Sequence, residues 1–340
     1  MYSLIDIQKK LLPDLLEIMQ KRYHILQYIY RMQPVGRRSL AQSLGLTERV
    51  LRSEVDFLKD QHLISVKSVG MEVTSIGIDL LEKLDSVMRE AAGIDVMEEQ
   101  LRQRFNIRKV VIVSGDSDES PWIKSELGRA CATSMKDFIR GNETIAVTGG
   151  TTMAAVAEKL TPDLTRDDLL FVPARGGIGE DVQNQANTIC SIMATNTKQK
   201  HRVFYVPDQV SDDIYESFMK EPMIKEVLDK IRSASMVLHG IGDAITMAER
   251  RKTNPQDLEK MKAERAVGEA FGYYFNEAGE VVHKVLTVGL QLSDLDHIPN
   301  VIAVAGGSSK AKAIRAYMQK APTSTILITD EGAAKRLLVD

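Results

Sequence analysis

Seven short runs rich in Val and Ile, each followed by Gly, Ser, Thr or Asp and then by a helical pattern, constrain most of this chain's fold. They are KVVIVSG (109–115), TIAVTGG (144–150), LLFVPARGG (169–177), RVFYVP (202–207), SMVLHGIG (235–242), VIAVAGGSS (301–309) and STILITD (324–330). Continuous apolar strands returning through helices describe a parallel sheet covered on both faces, an α/β doubly wound domain. Such sheets take their ligands beyond the carboxyl ends of the strands, so the residues just after each run are the informative ones.

The pattern occupies only part of the 340 residues. Single cores stop growing at roughly 250 to 300 residues, which predicts two domains, divided as 1–92 and 93–340. Hydrophobic residues at 44% and charged residues at 27% are those of a globular protein. No stretch approaches the roughly 20 apolar residues of a membrane span, and the opening MYSLIDIQKK has no apolar leader, so a cytoplasmic protein without membrane partners is expected. Cys131 and Cys190 lack metal or redox spacing and read as buried thiols.

The first ninety residues follow a different plan. An amphipathic helix over about 13–32 ends at Gln33-Pro34-Val35-Gly36. Two short helices then flank Gly45. Ser39 is placed to cap the first, with Leu40, Ala41 and Leu44 as its apolar face, and Gly45 suits a left-handed turn. Thr47 caps the second, where Val50, Leu51, Val55 and Leu58 face inward and Glu48, Arg49, Arg52, Ser53 and Asp56 face out. Two alternating strands around Ser68-Val69-Gly70 follow, then Thr74-x-x-Gly77 opens another helix.

Helix, turn, helix and hairpin in this order predict a winged helix-turn-helix whose second helix enters the major groove of DNA. The net charge of −3 conceals a basic stretch: Lys21, Arg22, Arg31, Arg37 and Arg38. Arg49 and Arg52 are the candidates on the recognition face, and Arg37 and Arg38 on phosphates. Whether an arginine reads guanine or neutralises phosphate is left open. For Arg22, Arg31 and Lys59 a solvated face is an equal reading. The apolar stripe Leu80, Leu84, Val87 suits a linker helix or dimer seam, and a homo-oligomer, dimer or tetramer, is expected.

Three junctions after the strands carry small, donor-rich stretches: Thr148-Gly149-Gly150-Thr151-Thr152, Ala174-Arg175-Gly176-Gly177-Ile178-Gly179 and Ala305-Gly306-Gly307-Ser308-Ser309-Lys310. Backbone amides, hydroxyls and a helix N-terminus together suit an anion, and Arg175 and Lys310 add charge. Any single glycine pair is equally a tight turn. None of the three is GxGxxG or a P-loop, so no nucleotide cofactor is expected, and the ligand class is a phosphorylated molecule. Lys310 and Arg250 are candidates for a second phosphate, against a plain exposed helix face for Arg250.

With these residues in view the chain resembles the SorC family of sugar-responsive transcriptional regulators, and within it the repressors of glycolytic genes. The similarity runs through IVSGDSDESPW (112–122), VTGGTT (147–152), FVPARGGIGEDVQNQANTIC (171–190), HGIGDA (239–244), EAFGYYFN (269–276) and AVAGGSSKA (303–311). The resemblance implies a repressor of the lower glycolytic operon that releases operator DNA when fructose-1,6-bisphosphate accumulates. It implies an effector domain of Rossmann-like fold, similar to sugar-phosphate isomerases and deaminases, with no catalysis. By position it implies that Gly149, Thr151, Thr152, Arg175, Gln185, Arg250, Glu269 and Lys310 hold the effector, Glu269 taking sugar hydroxyls.

Two rival readings follow. One is a sugar-phosphate isomerase or deaminase with an appended domain, whose base would come from His239 and Asp243 in HGIGDA. The deaminase stretch it resembles carries a histidine just after the aspartate, and here Ala244 and Ile245 follow. The other is a DNA-bound scaffold that takes no ligand.

Overall fold

The structure, a computed structural model, describes residues 10–164, 168–177 and 181–339. Ile178 and Gly179 of the second glycine stretch lie outside the described residues. The chain divides into two compact units, Met1–Val96 and Met97–Asp340.

In the first unit, helix α1 (Pro13–Met32) buries Tyr23, Ile25, Leu26, Tyr28 and Ile29, whereas Leu15 and Ile18 of the same helical spacing are exposed, so the apolar pattern predicts the buried face only over the second half of the helix. Helices α2 (Arg37–Ser43) and α3 (Glu48–Asp60) follow, with Gly45 between them at φ +62°. Thr47 caps α3, its side chain accepting from the Val50 amide. Strands β1 (Ile64–Lys67) and β2 (Gly70–Val73) pair antiparallel as the wing. Val35 exchanges backbone hydrogen bonds with Met71, so the turn after α1 is tied to the wing. Thr74 caps α4 (Ser75–Ala92) through the Gly77 amide, and α5 (Ile94–Phe105) follows.

Two details depart from expectation. Ser39 does not cap α2; Gly36 holds the N-cap position in extended conformation, so the helix starts three residues earlier than a serine cap requires. Val50 is 41% exposed, and the inward place is taken by Glu54. A carboxylate is tolerated there because Lys21 and Arg22 reach it at 2.6 and 2.8 Å, with the Arg22 guanidinium 3.5 Å above the Phe57 ring. Burial pulls the Glu54 carboxyl upward, and these two cations outweigh it and hold it below the usual range. Arg22 is therefore a brace inside this unit.

The second unit is built on a seven-stranded sheet in the order β3-β13-β12-β7-β4-β5-β6, with every pairing parallel. Its strands are β3 (Lys109–Val113), β4 (Glu143–Val147), β5 (Leu169–Pro173), β6 (Lys200–His201), β7 (Met236–Gly240), β12 (Asn300–Val304) and β13 (Thr325–Asp330). A smaller sheet, not anticipated, contains β8 (Gly242–Asp243), β9 (Ala266–Ala270), β10 (Tyr273–Asn276) and β11 (Val281–Lys284), all antiparallel. Helices α6 (Ile123–Phe138), α7 (Thr151–Lys159), α8 (Ala186–Thr197), α9 (Asp212–Phe218), α10 (Pro222–Arg232), α11 (Ala244–Arg250), α12 (Pro255–Ala263), α13 (Ala311–Met318) and α14 (Glu331–Val339) complete it. Ile145, Val147, Phe171, Leu238, Ile302 and Ile328 form a fully buried core with Met153 of α7 and Ile189 and Met193 of α8.

The run 202–207 is not a strand. Phe204 and Val206 are buried while Val203 and Tyr205 are exposed, an alternation that imitates a ladder, but pairing stops at His201. Phe204 is instead held by the Asn187 side chain, which accepts from its amide and donates to its carbonyl.

From β4 the chain moves outward through β5 to β6, then returns to place β7 on the other side of β4. The direction of winding therefore reverses between β4 and β7. That reversal opens a crevice at the strand ends, where doubly wound sheets bind ligands.

Candidate functional site

A cavity of about 260 Å³ lies at this crevice. Gly149, Gly150, Thr151 and Thr152 line it from the β4–α7 junction, Arg175 and Gly176 from the end of β5, and Gly240, Ile241 and Gly242 from the end of β7. Gln185 enters from the start of α8, Arg250 and Arg251 from the end of α11, Glu269 from β9, and Lys310 from the turn after β12. All eight residues nominated from sequence, Gly149, Thr151, Thr152, Arg175, Gln185, Arg250, Glu269 and Lys310, thus face one space. A helix leaves its first amides without partners inside the helix, and those of α7 open on this cavity.

The charges divide the cavity into two ends. At one end Asp208 accepts from Arg175 Nε at 2.6 Å and from Arg251 Nε at 3.0 Å. Glu269 Oε1 accepts from Arg251 Nη2 at 3.0 Å and from the Gly272 amide at 2.6 Å, and Arg251 also donates to the Tyr274 hydroxyl. Two guanidiniums and two carboxylates, each side chain no more than 7% exposed, cancel in net charge. Arg175 Nη2 lies 2.5 Å from Asp208 yet makes no hydrogen bond of good geometry, leaving a buried donor at the cavity wall. Glu269 Oε2 lies on the Gly242 side, away from the bonds that fix Oε1.

At the other end stand Lys310 and Arg250, and among the described residues neither forms an ion pair. Burial pushes the Lys310 ammonium below its usual range; the nearby charges of Lys124 and Arg250 push the same way, against Asp118 and Asp243. Neighbouring cations with no carboxylate in ion-pair contact among the described residues suit an anionic ligand.

Sequence reasoning missed Arg251 and Asp208. Arg251 adjoins Arg250 in AERRK, and nothing in one dimension says which of the two turns inward. It also took the third glycine stretch for an open cradle, which the structure corrects. The amides of Gly307, Ser308 and Ser309 are already taken by Asp330, Asp116 and Asp118 at 2.7, 3.2 and 2.8 Å. Only the Lys310 side chain of that stretch reaches the cavity.

The residues nominated for catalysis are not arranged for it. His239 is fully buried, its ring between Phe271 and Tyr317, with Nδ1 on the Gly240 carbonyl and Nε2 on the Tyr317 hydroxyl. Burial pushes its pKa down to about 4. Asp243 caps α11, accepting from the Thr246 amide and hydroxyl. Neither lines the cavity.

In the first unit Arg37, Arg38, Arg49 and Arg52 are all exposed, Arg37 and Arg38 on the first turn of α2 and Arg49 and Arg52 on the first two turns of α3. Arg38 pairs loosely with Glu48 at 3.4 Å, both in solvent, a contact weak enough to yield to phosphate. No described helix is long and apolar enough to cross a membrane.

Residues 89–339 match the sugar-binding domain family, and residues 18–88 match the CggR N-terminal DNA binding domain. The chain is 62% identical to the central glycolytic genes regulator of Priestia megaterium, over 100% of this chain and 99% of that one. It is 57% identical to the protein of the same name from Bacillus subtilis, over the full length of both. Among solved structures, a SorC family transcriptional regulator from Enterococcus faecalis superposes with a TM-score of 0.67 at 48% identity, covering 71% of this chain and 99% of that one.

Proposed function

The chain belongs to the SorC family of sugar-responsive transcriptional regulators, alongside the central glycolytic genes regulators, and on that premise we propose that it represses a glycolytic operon until fructose-1,6-bisphosphate fills the cavity. It is a regulator of glycolytic genes with a DNA-binding and a sugar-binding domain. Repression, the bisphosphate, homo-oligomerisation and a cytoplasmic location are our reading.

The observation that carries the effector is the uneven charge of the cavity. Lys310 and Arg250 make one end an anion receptor, the first residues of α7 also line the cavity, and the balanced quartet of Arg175, Arg251, Asp208 and Glu269 offers fixed donors and acceptors to hydroxyls. A volume of about 260 Å³ lies near the lower limit of ligand clefts, about 300 to 1,000 Å³, and suits a hexose rather than a dinucleotide. The enzyme reading loses support because the two residues nominated as its base, His239 and Asp243, do not line the cavity. On DNA, Arg49 and Arg52 face the groove and Arg37 and Arg38 the backbone.

Thermal unfolding with fructose-1,6-bisphosphate tests the effector. A ligand at a hundredfold excess over Kd stabilises by about 2.7 kcal/mol, visible as a rise of a few degrees in Tm. An unchanged Tm with every sugar phosphate would leave the ligand-free scaffold as the better reading, and steady turnover of one would revive the enzyme.

A further inference from the structure

The turn that carries Lys310 is built around anions belonging to the chain itself. Asp118, in the loop after β3, accepts from the Ser309 amide at 2.8 Å and from the Ser308 hydroxyl at 3.4 Å. Asp116 accepts from the Ser308 amide and braces the Asp118 amide. Two glycines make room for these carboxylates: a Cβ on Gly307, at φ +102°, would sit 2.5 Å from an Asp118 oxygen, and one on Gly332 would sit 2.3 Å from the Asp116 carboxyl carbon. Any larger residue at either position would push a carboxylate off its donors.

Asp118 thus holds a negative charge on the two residues directly preceding Lys310, the residue of this turn that lines the cavity. We propose that Asp118 is a built-in competitor of the ligand, lowering the cavity's affinity for phosphate and so setting the concentration at which effector is felt. The idea rests on reading the cavity as a phosphate site. A phosphate arriving at Lys310 meets a cation already partly neutralised by Asp118, and feels the repulsion of that carboxylate as well. Two further effects agree. The Asp118 charge favours the protonated Lys310, and burial of Asp118, which raises its carboxyl, is outweighed by the Ser309 and Ser308 hydrogen bonds and by Lys310 itself, so the competitor stays ionised. Ligand affinity is then a difference between two anions, one tethered and one free.

The test is calorimetric titration of the full chain and its Asp118→Asn and Asp118→Ala variants with fructose-1,6-bisphosphate and, separately, with inorganic phosphate. Asn keeps an acceptor for Ser309 while removing the charge. Asp118→Asn is expected to bind both anions about two- to fivefold more tightly at low salt, the range of an exposed charge pair, with the gain shrinking as salt rises. A merely structural Asp118 would leave the Asn variant like the wild type and weaken only the Ala variant, and that result overturns the proposal. If the bisphosphate binds none of the three while phosphate binds the Asn variant more tightly, the competitor stands and the sugar reading falls. If neither anion binds any of them, both fall.

Discussion

Arg175 and Arg250 look equivalent in sequence, but the structure gives them different work. Arg175 is locked to Asp208 in a buried quartet, so Arg175→Ala strands a carboxylate and should cost about 3 to 5 kcal/mol of stability, read as a fall in Tm. Arg250 is exposed and unpaired among the described residues. Arg250→Ala should therefore keep the wild-type Tm and DNA affinity while weakening bisphosphate binding about tenfold or more, the loss of one charged hydrogen bond of ~1.5 to 3 kcal/mol. Equal bisphosphate affinity in the two proteins would remove Arg250 from the site. His239 supplies a pH signature. Its folded pKa of about 4 lies below the free value of 6.5, so between these pH values the unfolded chain binds the extra proton. Stability contributed by the neutral ring is complete above about pH 6.5 and lost as pH falls toward 4, by roughly 3 kcal/mol. His239→Gln should melt with a shallower acid slope across that window, and an identical slope would contradict the assignment.

Among the elements, α3 is the helix proposed to enter the groove, and Thr47 caps its start. Thr47→Ala should lower stability by about 1 kcal/mol and weaken operator binding while leaving bisphosphate affinity unchanged. A gel shift and a calorimetric titration on one preparation separate the two effects. The capped helices and central strands were legible because local chemistry determines them: Thr47 and Thr74 cap as their spacing predicts, and six of the seven apolar runs contain strands of the large sheet. The false strand at 202–207 arose because alternating burial can be produced by one asparagine holding an irregular segment. The small sheet was hidden because its turn sets Phe271, φ +54°, ahead of Gly272, φ +83°, and a phenylalanine gives no turn signal. That the eight nominated residues line one cavity was legible through family resemblance, whereas Arg251, Asp208 and the filled Gly307–Ser309 nest depend on contacts between distant segments.

For the whole molecule the account is one of linkage. On the proposed function, fructose-1,6-bisphosphate favours a state that holds the operator less well, and operator in turn weakens bisphosphate binding by the same factor. Arg49→Ala with Arg52→Ala should abolish operator binding and leave bisphosphate binding intact, since those side chains lie in the other unit from the cavity. The coupling between the two ligands is reciprocal. Fluorescence anisotropy of a labelled fragment from upstream of the chain's own operon, titrated with protein at fixed salt with and without saturating bisphosphate, measures it directly. Operator affinity is expected to be weaker by about 5- to 150-fold in the loaded protein; equal affinity in the two titrations would rule out the linkage.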